Sequence, residues 1–418
     1  MGRFLAVFSL IVGLTAGLMV LAAAPGLAQQ SPDRFSALAR IDPDQSRITA
    51  EGRHNLRIDL GLSQGVPYRL FTLTDPDRLI LDFQEIDWTG LRSERLVQTD
   101  RVLQAQFGAY VPGWSRMVLE LAAPMQVTRA GLTIDPETAA AHLSLDLAPV
   151  SAESFAEQSG APYDPRWDLP EPAVVDRPAA RDPEAPLRVV IDPGHGGIDP
   201  GAEAGEATEK DLMLTLGREL REVLLRSGGF DVVMTRDDDH FVSLERRVTL
   251  THQAAADVFI SLHADSLSEG LAHGATVYML SRDASDVASA LLAERHDRAN
   301  LLSGADLSQA DDEVTDIMLD LARQETRPRT EALARALISG ITNVGGPMNR
   351  RPLRSASFSV LKAADIPSVL IEVGFLSSPR DLKNLKDPEW RAGIARGIRN
   401  GLVNWRKSDQ ARRPLVRQ

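Results

Sequence analysis

The feature that most constrains this chain is a proline-rich break. Between Ser151 and Pro186, prolines recur at 162, 165, 170, 172, 178, 183 and 186, and apolar periodicity disappears. Proline fixes φ and removes a backbone donor, so neither a helix nor a central strand runs through such a stretch. The 418 residues therefore divide into two folding units joined by a semi-extended linker over 151–186. Each side is long enough to bury a core of its own.

The two sides differ in texture. Before the break, β-rich segments are short and alternating: Leu56–Leu60, Tyr68–Leu73, Leu79–Phe83, Val102–Phe107, Arg116–Leu121 and Leu143–Leu147. Turn signals such as Asp75-Pro76-Asp77 and Pro112-Gly113 separate them. Residues 35–150 thus read as a small all-β sandwich. After the break, buried-type strands (Leu187–Ile191, Val232–Thr235, Val258–Leu262, Thr276–Leu280, Val369–Val373) alternate with helical spacings such as Leu212, Leu216, Leu220 and Leu224. That alternation predicts an α/β domain over 187–406, a mostly parallel sheet flanked by helices, with a tail over 407–418. Ligands in such sheets bind beyond the carboxyl ends of the strands.

Lys and Arg total 46 against 58 Asp and Glu, a net charge of -12, which argues against a nucleic-acid partner. Cysteine is absent, so disulfides, thiolate metal sites and cysteine nucleophiles are excluded, and a metal must sit on His, Asp or Glu. At the N-terminus Arg3 precedes an uncharged run from Phe4 to Ala24, then Pro25 and Gly26-Leu27-Ala28. This is the order of a secretory signal cleaved after Ala28, which places the rest outside the cytoplasm without stable membrane insertion. The apolar run is also long enough for an uncleaved anchor, and that alternative stays open.

Three strands lead into polar groups. Leu187–Ile191 runs into Asp192-Pro193-Gly194-His195-Gly196-Gly197, Val258–Leu262 runs into His263-Ala264-Asp265, and Glu372 sits inside an apolar strand. Glu209 follows His195 by 14 residues, where a helix begins near Asp211 with Thr208 as a cap. Two imidazoles and a carboxylate are the donor set of catalytic zinc, and Glu372, costly to ionise in an apolar strand, suits proton transfer. Blander readings coexist with these. A histidine after a strand is often a hydrogen-bonded turn residue, and the glycines serve turns with positive φ. Glu372 would then pair with a structural arginine such as Arg246. The glycine-rich loop lacks the following Lys-Ser/Thr of a phosphate loop.

Residues Val189–Ala202, Thr208-Glu209-Lys210-Asp211, Met234-Thr235-Arg236, Ser261–Asp265 and Ser368–Ser377 resemble, in order and spacing, the zinc-dependent N-acetylmuramoyl-L-alanine amidases of bacterial cell-wall turnover. The β domain before them resembles the AMIN domain of the periplasmic division amidases, which binds peptidoglycan and localises the enzyme. The resemblance implies one zinc per catalytic domain held by His195, Glu209 and His263, with Glu372 as the catalytic glutamate. The reaction implied is hydrolysis of the amide between N-acetylmuramic acid and the L-alanine of the stem peptide, in daughter-cell separation. His252 departs from the family pattern, where asparagine is common, as does His273 before Gly274, where a small residue is usual.

A segment over 281–351 separates Thr276–Leu280 from the strands leading to Glu372, with helical spacing at Val287, Leu291 and Leu292 and again at Val314, Ile317, Met318 and Leu321. In the amidases it resembles, a helix from this region covers the zinc until a LytM-domain activator displaces it. The expectation is an autoinhibited enzyme with Glu294 as the blocking carboxylate. The competing functions are a non-catalytic peptidoglycan-binding protein and a zinc peptidase cutting within the stem.

Overall fold

The computed structural model describes residues 39–84, 86–111, 113–161, 185–267, 272–297, 313–363 and 365–416. The expected leader, 1–28, and most of the proline-rich linker lie outside these residues. Among the described residues, no helix is long and apolar enough to cross a membrane.

The first domain is all β apart from one short turn of helix. Its elements are β1 (Ala39–Glu51), β2 (Asn55–Leu62), β3 (Tyr68–Leu73), β4 (Arg78–Gln84), β5 (Ile86–Asp87), α1 (Ser93–Leu96), β6 (Val97–Gln98), β7 (Val102–Val111), β8 (Trp114–Leu121), β9 (Met125–Ile134) and β10 (Ala141–Pro149). One sheet runs β5-β1-β2-β10-β9, with β6 beside β1, and the other runs β3-β4-β8-β7. Their facing sides bury Leu56, Ile58, Leu60, Leu143 and Leu145 against Leu79, Leu81, Phe83, Met117 and Leu119. Side chains of period two place these residues on one face of each strand, and each fully buried large aliphatic contributes about 1.5–3 kcal/mol. Strands β1 and β9 escaped the sequence reading. In β1 the ladder breaks between Asp42 and Arg47, around Pro43, which cannot donate, and β9 is mostly exposed, so its pattern carries little apolar signal.

The start of the expected linker is structured. Ser151 accepts a hydrogen bond from Ser154 N and caps α2 (Ala152–Gln158), whose Phe155 is buried in the sandwich core.

The second domain contains β11 (Leu187–Pro193), β12 (Glu203–Ala204), β13 (Ala207–Thr208), α3 (Glu209–Ser227), β14 (Phe230–Met234), α4 (Leu244–Gln253), β15 (Val258–His263), β16 (Ala275–Leu280), α5 (Val287–Asp297), α6 (Glu313–Asn343), β17 (Met348–Ala356), β18 (Ser368–Glu372), α7 (Pro379–Lys386) and α8 (Pro388–Val416). Its sheet has the order β14-β11-β15-β18-β16-β17. The pairs among β14, β11, β15 and β18 are parallel, and β16 runs antiparallel to β18. Alternation along β11 sends Val189 and Ile191 into a core with α3, α6 and α8, and Val190 into one with α4, α5 and Phe358. Helices on both faces of a largely parallel sheet are the architecture expected from the sequence.

Two expected limits shift. The segment expected as an insertion over 281–351 includes Leu333, Ala334, Leu337 and Ile341 of α6, which are fully buried in the main core. Residues 407–416 continue α8 instead of forming a tail, and the buried Asp409 accepts from Arg329 Nε at 2.8 Å.

Candidate active site

The parallel strands deliver their carboxyl ends to one edge, and a buried ion pair shapes that edge. Asp192, fully buried at the end of β11, accepts from Thr235 Oγ1 at 2.6 Å and Ser261 Oγ at 2.7 Å, and it pairs with Arg247 of α4. Burial opposes ionisation of Asp192, but the Arg247 guanidinium and the two hydroxyls outweigh it and hold the carboxyl below its usual range. Arg247 also donates to Pro193 O and His195 O, and Arg236 donates to Pro193 O and Gly194 O. The two arginines thereby fix the backbone of Pro193-Gly194-His195. His195 itself adopts φ +60, a left-handed conformation that costs a non-glycine residue on the order of 1–3 kcal/mol and persists only when its surroundings hold it. Gly194 is required by proximity, because a Cβ there would lie 2.2 Å from Cε1 of His263.

Around this loop His195, Glu209 and His263 converge, with one donor atom from each lying within 4.8 Å of the others. Glu209 Oε2 is 3.2 Å from His195 Nε2, and Glu209 Oε1 is 3.0 Å from His263 Nδ1. The carboxylate is the first residue of α3, where the helix dipole favours negative charge, and it accepts from Ala202 N at 2.9 Å and Ala264 N at 2.8 Å. Thr208 occupies the expected N-cap position, but its hydroxyl donates to the Asp211 carboxylate at 2.6 Å and caps no backbone N–H. His195 Nδ1 faces Asp199 Oδ2 at 2.8 Å, the carboxylate–histidine arrangement that orients a metal-binding imidazole. Burial, reinforced by His296, lowers the pKa of His263 to about 3, so its ring is neutral and able to ligate. The residues fit a zinc-type cation in chemistry and geometry. The donor set is two imidazoles and one carboxylate, and the buried Nε2 of His195 points at the cluster, with Glu209 Oε2 as its neighbour.

Glu372 ends β18 in register with His263 on β15, and it is fully buried. Desolvation raises its pKa to about 7, and repulsion from Glu209 and Asp265 adds to that against the attraction of His296. Oε2 accepts from Asp265 N at 3.0 Å, while Oε1 has no hydrogen-bond partner among the described residues.

The four residues expected at the site are therefore together, and Glu294 is not with them. Glu294 is exposed on α5. Two residues further on, about 200° around the helix, His296 is 4% exposed, with Nε2 3.5 Å from Glu372 Oε1. Its ring centroid lies 4.2 Å from that of His263 and 5.8 Å from that of His195. His263, His296 and Glu372 form a second group of converging donor atoms. Arg295 reaches Asp265 Oδ1 at 2.9 Å.

Arg246 does not pair with Glu372. It reaches Gln253 at the protein surface, and its neighbour Arg247 is the buried one. His252 pairs with Asp365 at 2.8 Å, and the carbonyl of His273 accepts from Asn349. The roles of Arg247, Asp199 and His296 were missed by the sequence reading. Asp199 had a signal, four residues after His195 in the glycine-rich stretch that follows β11. Arg247 and His296 had none, since helical spacing does not say which polar residue faces inward.

Comparison with known proteins agrees with this geometry. The family profile described as N-acetylmuramoyl-L-alanine amidase matches residues 189–404, and the AMIN domain profile matches residues 45–145. The chain is 28% identical over 380 residues to N-acetylmuramoyl-L-alanine amidase AmiC of Escherichia coli O6:H1, covering 87% of each chain. It is 29% identical over 366 residues to AmiC of Neisseria meningitidis serogroup B, covering 84% of this chain and 86% of the relative. With AmiA of Salmonella typhimurium it shares 35% identity over 219 residues, 52% of this chain and 75% of that one. With a family match over half of its length and an AMIN domain ahead of it, the chain belongs to the N-acetylmuramoyl-L-alanine amidases and has their activity.

Proposed function

We propose that this amidase is a zinc enzyme of the periplasm that cuts peptidoglycan stems from their glycan during daughter-cell separation, and that its own α5 holds it inactive. The convergence of His195, Glu209 and His263 beside the buried Glu372 carries this reading. In it, His195, Glu209 and His263 hold one zinc ion, and Asp199 keeps the His195 ring in place. When bound, zinc supplies a Lewis acid that polarises the scissile carbonyl and acidifies water. Glu372 accepts a proton at Oε1 from the attacking water and delivers it to the departing amine of L-alanine, a task suited to a carboxyl poised near pH 7.

The covering residue in this reading is His296, which takes the role expected of Glu294. Supporting it are the burial of His296 and its contacts with Glu372 and the His263 ring. A LytM-domain activator would draw α5 away. The domain plan completes the reading: a signal over 1–28, a peptidoglycan-binding AMIN domain over 35–150, a linker to 186 and the catalytic domain from 187.

The deciding experiment measures metal content and product on purified sacculi for the full chain, opened by His296→Ala, with and without Glu372→Ala. The expected result is one zinc per chain in both variants, with release of stem peptides bearing free N-terminal L-alanine only when Glu372 is present. Release of peptides cut within the stem would favour a zinc peptidase instead. Zinc-free protein that still binds sacculi would make the chain a wall-binding protein.

A further inference from the structure

The β domain does not stand apart from the reaction centre. The inner face of the β3-β4-β8-β7 sheet packs into the sandwich, and its outer face buries Phe71, Leu73, Ile80 and Val118 against Ile198 and Phe241 of the catalytic domain. Backbone hydrogen bonds cross the contact: Ile198 N donates to Ala109 O at 2.8 Å, and Phe241 N donates to Tyr110 O at 3.0 Å. Tyr110 stacks on Phe241 at 5.7 Å, with the buried Arg116 guanidinium 3.7 Å above its ring. At Gly197 a Cβ would lie 2.0 Å from Ala109 O, so the loop that carries His195 can meet this hairpin only with glycine there. Buried apolar contact and paired backbone groups together make a built interface.

Beside this contact the same sheet face opens onto a cavity of about 580 Å³ whose opposite wall includes His195, Asp265 and His296. Register puts Gln104 opposite Glu120 and Gln106 opposite Val118, on the face that looks into the cavity. The side chains of Gln104, Gln106 and Glu120 have no hydrogen-bond or ion-pair partner among the described residues. The nearby cations are engaged: Arg78 donates to Pro76 O and Thr74 O, and Arg295 pairs with Asp265. The groups this wall leaves without a protein partner are thus two amides and a carboxylate, while Asp199 and Asp265 opposite are paired with His195 and Arg295. These unpartnered groups suit an uncharged ligand rich in hydroxyl and acetamido groups, each of which a Gln or Glu side chain can pair. Once its lactyl carboxyl is in an amide, an N-acetylated sugar of the glycan is such a ligand.

We propose that the outer face of the β domain is the second wall of the substrate cleft, and that Gln104, Gln106 and Glu120 bind the sugar side of the scissile amide. The domain then acts as part of the substrate site as well as a tether to the wall. The inference rests on His195 and its partners being the reaction centre.

The test uses the full chain and two soluble probes, an uncharged N-acetylglucosamine tetramer and a peptide of stem sequence, with affinities measured by ligand-observed NMR. The parent is expected to bind the tetramer, and Gln104→Ala with Gln106→Ala to weaken that binding at least tenfold. Glu120→Gln should weaken it severalfold, with peptide binding and the melting temperature unchanged. These residues are exposed or half-buried, so the fold is expected to survive, and near-UV circular dichroism checks it. Failure of the parent to bind the tetramer, or equal binding by parent and variants, overturns the proposal, as does weakening of the peptide alone. The tetramer has no scissile amide and its binding is read without zinc, so this outcome is separate from whether the enzyme is zinc-dependent or latched.

Discussion

His296 Nε2 lies 3.5 Å from Glu372 Oε1, and the His296 ring centroid lies 4.2 Å from that of His263. One side chain from α5 therefore meets the buried Glu372 carboxyl and also crowds a histidine of the converging donor group. Its own helix supplies little else at this point, since Glu294 is exposed and Arg295 is paired with Asp265.

Replacing His296 with alanine removes this contact. Basal amide cleavage on sacculi is expected to rise at least tenfold, corresponding to about 1.4 kcal/mol in the barrier, with zinc content unchanged. Cleavage that stays at the parent level, in a variant that keeps its fold and its metal, would rule out His296 as the latch.

Metal binding to the folded state adds stability by mass action. Excess zinc is expected to raise the melting temperature of the parent. It should leave His195→Ala and His263→Ala nearly unmoved, with elemental analysis giving about one zinc per parent chain and far less in each variant. An equal shift in all three proteins would put the ion elsewhere.

Glu372 makes the metal-free protein sensitive to pH. Its pKa is raised on folding from the usual 4.5 to about 7, so the folded state holds the proton more tightly. That contribution is complete below about pH 4.5 and is lost as pH rises through about 7, at a cost of at most about 3 kcal/mol. Glu372→Gln should therefore be more stable than the parent at pH 8 in denaturant titrations with chelator, and the advantage should shrink toward pH 5. A difference independent of pH would show that Glu372 does not titrate in this range.

The paired Asp192 and Arg247 differ sharply from their surface neighbour. Arg247→Ala strands a fully buried carboxylate and frees the His195 carbonyl, and it is expected to cost about 3–5 kcal/mol. Arg246→Ala, at an exposed position, should stay within about 0.5 kcal/mol of the parent. Chemical denaturation of the two variants side by side is the check.

Glycines on α6 and α8 predict effects of opposite sign. A Cβ on Gly340 would lie 2.2 Å from Gly397 O, so Gly340→Ala is expected to destabilise by about 1–3 kcal/mol as the helices are pushed apart. At Gly393 the nearest neighbour is the far end of Arg396 at 3.8 Å, so Gly393→Ala should gain about 0.5–1 kcal/mol of helix propensity. Thermal melts that move in the same direction for both would contradict the observed close crossing.

Much of the architecture was legible because it is written in local periodicity. Leu216, Leu220 and Leu224 mark the buried stripe of α3, and the apolar runs at Val258–Leu262 and Val369–Val373 mark central strands, since a strand buried on both faces must be apolar throughout. His195, His263 and Glu372 were visible for the same reason, as polar groups at the ends of such strands. β1 and β9 were not visible, because a bulge around Pro43 and an exposed face erase the alternation that marks a strand.

By itself the sequence determined the two textures, the proline break between them and the residue types at the strand ends, because each depends on side chains close together in the chain. Tertiary structure alone decided which of three consecutive residues on α5, Glu294, Arg295 or His296, meets Glu372, because that depends on how the helix is rotated as Leu292 and Ala293 pack into the core. It alone also brought Gln104 and Glu120 to the cavity of His195. That juxtaposition comes from the docking of two domains across some 75 residues of chain, and no local pattern encodes it.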